Sequence, residues 1–293
     1  MNKLDGCYVA GLTPFKADQA LDFDLHQRLL KFNIQEGFDG VYLNGSTGEF
    51  PFLCIEERKQ LLENAVDAIG EKGKILCHVG AIGTLPSIEL AQHAQEHGAD
   101  AISSIPPFYF QYQKMEVMDY FSRLADSVDI PVILYNFPKL SGFDITPDDV
   151  RKLQEKHQNI VGIKFTSKEL DKIPEFRTVS DDFMIFNGFD ELFSAGHIMG
   201  ATGAIGSTYN IMGEKFIQLK KRLNLGDMNG SSELQSEICN VINQLLSFPF
   251  MPALKHIMSL KGVDCGRCRE PFRELDTDEK QRLHQLFADC IGN

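Results

Sequence analysis

Residues 160–166 read IVGIKFT, a β-branched apolar run broken by one lysine. Its length and composition suit a buried strand, in which successive side chains point to opposite faces. The alternation places Val161, Ile163 and Phe165 on an apolar face suited to a helix layer, and Gly162, Lys164 and Thr166 on the other. Seven more runs of this kind flank it: CYVAGLTPF (7–15), GVYLNG (40–45), KILCHVG (74–80), AISSIP (101–106), PVILYN (131–136), MIFNG (184–188) and ATGAIGS (201–207). Their starts lie roughly 17–34 residues apart, enough for a helical crossover between parallel strands. Eight such units in succession most simply close into a (β/α)₈ TIM barrel. An open doubly wound sheet competes, but its usual marker, a GxGxxG turn after the first strand, is absent.

Helical periodicity continues past the eighth run, near 210–224, 231–248, 252–261 and 276–290, with GVDCGRCREP (262–271) as a loop. The expectation is a single domain over 1–293. Residues 1–224 form the barrel, and 225–293 form a helical C-terminal extension packed on it.

The formal charge of −12 disfavours nucleic acid or an anionic membrane as partner, yet leaves a small anionic substrate open. No apolar run approaches the ~20 residues of a membrane helix. The first fifteen residues lack an apolar core behind a basic start, so a cytoplasmic protein is expected. Seven cysteines, an odd number scattered among apolar stretches, read as reduced thiols.

In such a barrel the active site sits at the C-terminal ends of the strands. Those ends carry Gly45-Ser46-Thr47-Gly48-Glu49, Tyr135-Asn136, Lys164 with Thr166, Gly188 before Asp190-Glu191, and Gly206-Ser207. Parity puts Lys164 inside, where burial disfavours the ammonium and leaves an amine able to attack a carbonyl. A lysine paired with an inward carboxylate, or a register one residue off, fits the same pattern. Tyr135, one strand away at matching depth, adds a phenol able to carry a proton. The GSTGE turn offers backbone N–H groups and two hydroxyls to a carboxylate or phosphate, though a plain turn and helix cap for 55–69 reads equally well.

Two literal motifs are discounted. His93-Ala-Gln-Glu96-His97 matches the HxxEH of one class of zinc protease, but it ends a helix at the face opposite the strand ends. Cys265-Gly-Arg-Cys268 lacks a second ligand pair, and Arg267 and Arg269 beside it are expected to face solvent. No metal is expected.

The set GSTGE (45–49), YNFP (135–138), GIKFTS (162–167), NGFDELF (187–193) and GAIGSTYN (203–210), in this order, resembles the N-acetylneuraminate lyases (sialic acid aldolases) of the dihydrodipicolinate synthase superfamily. The likeness spans essentially the whole chain. It implies a class I aldolase that cleaves N-acetylneuraminate reversibly to N-acetylmannosamine and pyruvate without a cofactor. Lys164 would form the Schiff base and Tyr135 would handle the proton of the reacting hydroxyl. Ser46 and Thr47 would hold the pyruvate-derived carboxylate, and Thr166, Gly188, Asp190, Glu191 and Ser207 would contact the sugar-derived chain. Tyr109 matches a residue shared between neighbouring subunits, so the resemblance also implies a homotetramer.

Dihydrodipicolinate synthases carry an arginine shortly after the tyrosine to grip a second carboxylate; Leu140 stands there in this chain and cannot form a bidentate salt bridge. Lys139 is a weak substitute. Asp190-Glu191 suits a polyol. The chain departs from the lyases at Asn44, commonly glycine, at Phe137, commonly isoleucine, and over Ile105–Phe110. These put the acyl-sugar preference in question, and a pyruvate aldolase for a shorter 2-keto-3-deoxy sugar acid or a non-catalytic metabolite-binding barrel remain the competing expectations.

Overall fold

The eight apolar runs become eight short parallel strands, β1 (Cys7–Ala10), β2 (Gly40–Leu43), β3 (Lys74–His78), β4 (Ala101–Ser104), β5 (Val132–Asn136), β6 (Ile160–Phe165), β7 (Met184–Asn187) and β8 (Gly203–Gly206). They close in sequence order, β8 pairing with β1, into one barrel. The computed structural model describes residues 4–291, so the ends of the expected 1–293 span lie outside the described residues. The strands are shorter than the apolar runs because the last residues of several runs leave the ladder to build loops at the barrel mouth. The first run, expected over 7–15, pairs only as far as Ala10.

Helices α1 (Phe23–Gln35), α2 (Ile55–Ile69), α3 (Thr84–Glu96), α4 (Lys114–Asp126), α5 (Pro138–Ser141), α6 (Pro147–Gln154), α7 (Ile173–Arg177), α8 (Phe193–Ile198) and α9 (Tyr209–Asn224) wrap the strands. Three more follow, α10 (Met228–Leu245), α11 (Phe250–Leu260) and α12 (Thr277–Leu286). Among the described residues no helix is long and apolar enough to cross a membrane.

The strand alternation divides the core. Val41, Ile75, Ile102, Leu134, Ile163 and Phe165 face outward into one cluster with the helices, whereas Tyr8, Tyr42, Ile133, Tyr135, Phe186 and Ile205 fill the interior. Val161 departs from the expected parity. The register slips between Val132 and Ile133, which pair with Ile160 and Gly162, so Val161 is a bulge residue and packs against the interior cluster. From Gly162 onward the parity holds. That glycine is required, since a Cβ there would lie 2.7 Å from the Met184 carbonyl oxygen.

The last three helices share a buried cluster with the barrel, joining Val9 and Ala204 to Phe216, Ile238, Leu254 and Leu283. An ion pair reinforces the junction. Lys255 of α11 lies 2.7 Å from Glu49, both side chains being essentially inaccessible, and donates to the carbonyls of Thr13 and Arg267.

Candidate active site

Lys164 stands in the middle of the sixth strand, its Cα paired with Tyr135 on β5 and Phe186 on β7. Its Nζ lies 4.1 Å from the centre of the Tyr42 ring and 4.2 Å from that of Tyr135, held between two aromatic faces. Those faces favour a cation. Burial opposes it and wins: the ammonium's pKa is lowered to about 7, with the negative charge of Asp190 pulling the other way. A substantial share of the side chain is therefore free amine at neutral pH, where an ordinary lysine is almost wholly protonated.

Tyr135 is buried as well, and loss of solvent pushes its phenol up to about 12, against the hydroxyls of Ser46 and Thr166 beside it. The ring packs edge-on against Tyr42 and His78 and stacks on Phe137. His78 is held neutral by its complete burial and the nearby Arg58 guanidinium, so it adds bulk rather than charge beneath the site.

The GSTGE stretch folds into a tight 3₁₀ turn, Ser46–Gly48, closed by bonds from the N–H groups of Gly48 and Phe50 to the Gly45 carbonyl. Ser46 and Thr47 begin the turn, so their N–H groups have no partner within it. Thr47 Oγ1 and Ser207 Oγ are 2.6 Å apart, joining the ends of β2 and β8 across the mouth. Gly45 is dictated by contact: a Cβ there would meet the Tyr42 ring at 2.5 Å.

Across the mouth, Asp190 accepts hydrogen bonds on Oδ2 from the N–H and hydroxyl of Thr208, at 2.8 and 2.6 Å. Burial raises its carboxyl to about 6, with the Thr208 bonds opposing. Gly188 and Gly206 make room for this wall. A Cβ on the first would fall 1.9 Å from Thr166 Oγ1, and one on the second 2.2 Å from Asp190 Oδ1.

A cavity of about 380 Å³ collects these groups: Ser46, Thr47, Tyr135, Lys164, Thr166, Gly188, Asp190, Glu191 and Ser207 all line it. That size falls in the range of small-molecule sites. Of the expected site residues, Tyr109 lies elsewhere. It is 85% exposed on the segment between β4 and α4, with a strained backbone φ of 86°.

Several lining residues are not readable from strand ends. Phe189 and Thr208 come from the loops after β7 and β8, and Ile242, Leu246, Phe250 and Met251 come from the C-terminal helices, which fold over the mouth as an apolar wall. Tyr42 touches Lys164 yet was missed, although parity along GVYLNG would have turned it inward.

Of the departures, Asn44 takes a left-handed φ of 55°, a conformation that favours glycine first and asparagine next, and its amide bonds to the Arg58 carbonyl. It does not line the cavity. Phe137 does, whereas Leu140 is 56% exposed and outside it. Ile105 and Phe108 pack with the barrel interior.

The seven cysteines are free, with Cys7, Cys77 and Cys265 buried. Arg267 is exposed and paired with Glu274 at 2.5 Å. Arg269 corrects the expectation of a solvent-facing side chain. It lies over the Phe15 ring, pairs with both Glu57 oxygens and donates to the Phe52 carbonyl, because the CxxC loop folds back against α2. Among the described residues, the one group of three side chains spaced to hold a metal is Glu63, His93 and His97, remote from the cavity.

Comparison with known proteins finds the profile of the dihydrodipicolinate synthetase family matching residues 3–289. The N-acetylneuraminate lyase of Rhizobium meliloti (strain 1021) is 38% identical, the match covering 99% of this chain and 96% of that one. Among solved structures, the Clostridium difficile protein CdNal, crystallised in complex with mannosamine, superposes with a TM-score of 0.95 at 30% identity, covering 98% of this chain and 99% of the other. A catalytic lysine mutant of the Ruminococcus gnavus sialic acid aldolase superposes with a TM-score of 0.94 at 29% identity, covering 99% and 97%.

Proposed function

The chain belongs to the dihydrodipicolinate synthetase family, and from that membership we propose an N-acetylneuraminate lyase, a class I aldolase that interconverts N-acetylneuraminate with N-acetylmannosamine and pyruvate. The observation that carries the chemistry is the Lys164 amine, buried between the rings of Tyr42 and Tyr135 in a cavity whose lining includes the hydroxyls of Ser46, Thr47, Thr166 and Ser207 and the carboxyl groups of Asp190 and Glu191.

Lys164 adds to the C2 ketone of the open-chain sugar acid and, with loss of water, forms an iminium. The Ser46–Thr47 turn holds the adjacent carboxylate. The iminium draws the electrons of the C3–C4 bond as that bond breaks, and the C4 hydroxyl becomes the aldehyde of N-acetylmannosamine. The C4 hydroxyl proton passes to the Tyr135 oxygen as the phenol's own proton moves on to the substrate carboxylate, so Tyr135 ends the step neutral. A fixed positive charge about 4 Å from the Tyr135 ring offsets the burial that keeps the resting phenol neutral. The enamine left on Lys164 takes a proton at C3, and water releases pyruvate and the free amine. Thr166, Gly188, Asp190, Glu191 and Ser207 border the space of the hydroxylated chain. Asp190 Oδ1, which takes neither Thr208 bond, accepts from a substrate hydroxyl. No organic cofactor enters, because the lysine makes its own electron sink.

Two further readings complete the proposal. The strained, exposed Tyr109, with Phe110 beside it at 64% exposure, supports a homotetramer in which neighbouring subunits share this residue. Seven free thiols suit the reducing cytoplasm.

Incubation with N-acetylneuraminate and, separately, with 2-keto-3-deoxygluconate, followed by pyruvate measurement, tests the substrate. Pyruvate from the sialate is expected. Release only from the shorter acid would move the chain to another aldolase, and release from neither, with no borohydride-trapped pyruvate on Lys164, would make it a binding protein.

A further inference from the structure

The HxxEH stretch lies away from the catalytic face: α3 ends at Glu96, just before β4 begins at Ala101. The fold also supplies something the stretch lacks. His93 and His97 stack, ring centroids 3.9 Å apart at 17°, and both present Nε2 to Glu63 of the neighbouring helix α2. The distances to Glu63 Oε1 are 2.9 Å from His93 and 3.9 Å from His97. Glu96, the acid of the literal motif, is exposed and outside the group.

Two features make this more than an exposed acid beside a histidine. His97 Nδ1 lies 2.9 Å from the His93 carbonyl oxygen, to which only a protonated Nδ1 can donate. That bond fixes the neutral ring's tautomer and leaves Nε2, 3.9 Å from Glu63 Oε1, as its lone-pair nitrogen, the second-shell pattern seen in metal-bound imidazoles. The three ligand atoms also lie within 4.8 Å of one another. An ion with bonds of about 2.0–2.2 Å needs its ligands roughly 3–3.5 Å apart in a tetrahedron, so side-chain rotations that unstack the two rings and close the wider separations by an ångström or so complete the site.

We propose that Glu63, His93 and His97 bind a borderline divalent transition metal such as Zn²⁺, with water in the fourth position. Two imidazoles and one carboxylate suit Zn²⁺, Ni²⁺ or Cu²⁺ rather than Mg²⁺ or Ca²⁺. The ion bridges α2 to α3 across the outer layer and takes no part in the aldol chemistry. Side-chain exposures of 13% for His93, 41% for His97 and 47% for Glu63 leave it open to solvent.

Titrating Zn²⁺ into the full chain by calorimetry, with thermal unfolding in parallel, tests the site. One equivalent is expected to bind, and His97→Ala and Glu63→Gln each to weaken it at least about tenfold, the low end of what loss of even an outer-shell partner costs. Zinc at 100 times its Kd is expected to raise the parent's Tm by about 5 °C and to leave the Tm of His97→Ala nearly unmoved. Glu63→Gln keeps the side-chain volume and an acceptor for His93, so its loss of zinc separates ligation from the bare hydrogen bond. Undiminished zinc affinity in a His93→Ala/His97→Ala double variant would assign the metal to the thiols and overturn the proposal, as would the absence of binding to the parent at millimolar zinc. Pyruvate release without added metal is expected to match the parent's in His97→Ala.

Discussion

At Lys164, held between the faces of Tyr42 and Tyr135, burial destabilises the ammonium while the negative charge of Asp190 supports it, and the amine's pKa is lowered to about 7. The sign of the pH dependence follows. The amine is the nucleophile, so borohydride trapping of the pyruvate adduct is expected to rise with pH, level off above about 7 and fall about tenfold per unit well below it. A rise continuing past pH 9 would place the lysine near its ordinary value and remove the burial argument. Tyr135 separates from Lys164 by role. Lys164→Ala is expected to abolish both adduct and turnover, whereas Tyr135→Phe should still form adduct and slow carbon bond cleavage by about 10²-fold or more, the contribution of a general acid–base group. Mass spectrometry for the adduct and pyruvate release for turnover distinguish the two. Complete loss of adduct in both would move Tyr135 to imine formation.

The turn after β2 is held as an element from outside the barrel. Glu49 takes a left-handed φ of 58° at its end and sends its carboxylate to Lys255 of α11 and to the N–H of Arg269. Removing one partner of a buried pair strands a charge, at a cost of about 3–5 kcal/mol. Lys255→Met is therefore expected to lower the urea midpoint markedly, and Glu49→Gln/Lys255→Met to recover part of the loss, measured as a double-mutant cycle. Additive losses would mean that Lys255 acts through its bonds to Thr13 and Arg267 instead. Because the turn carries Ser46 and Thr47, the same variants are expected to raise KM for pyruvate in the synthetic direction.

For the whole molecule, exposed aromatic surface at Tyr109 and Phe110, with Met115 at 78% exposure on the α4 that follows, is more than a lone barrel has reason to show. Sedimentation is expected to give a particle of about four times the 32.9 kDa chain mass. Tyr109→Asp, placing a charge on this exposed aromatic surface, should shift it toward smaller species. A monomeric parent would refute the shared-subunit reading of Tyr109.

The eight strands, their order and the inward lysine were legible because alternation and spacing are local properties, and a buried parallel strand has few other sequences open to it. The mouth residues followed, since inward-facing side chains at the strands' C-terminal ends, with the loops just beyond them, gather at one site. Local pattern could not reveal the slip that turns Val161 inward, because a bulge is defined by the partner strand. It could not reveal the tucked Arg269 or the apolar wall of Leu246, Phe250 and Met251, each brought to its place by a C-terminal segment folding onto the barrel. Nor could it find Glu63 beside His93 and His97, which lie thirty or more residues further along the chain. Sequence by itself determined which residues could be strands and which chemistry they could carry. Only the tertiary structure decided how far each group is desolvated and what it meets, and these contacts between distant segments lower the pKa of Lys164 and give Glu63 its two histidines.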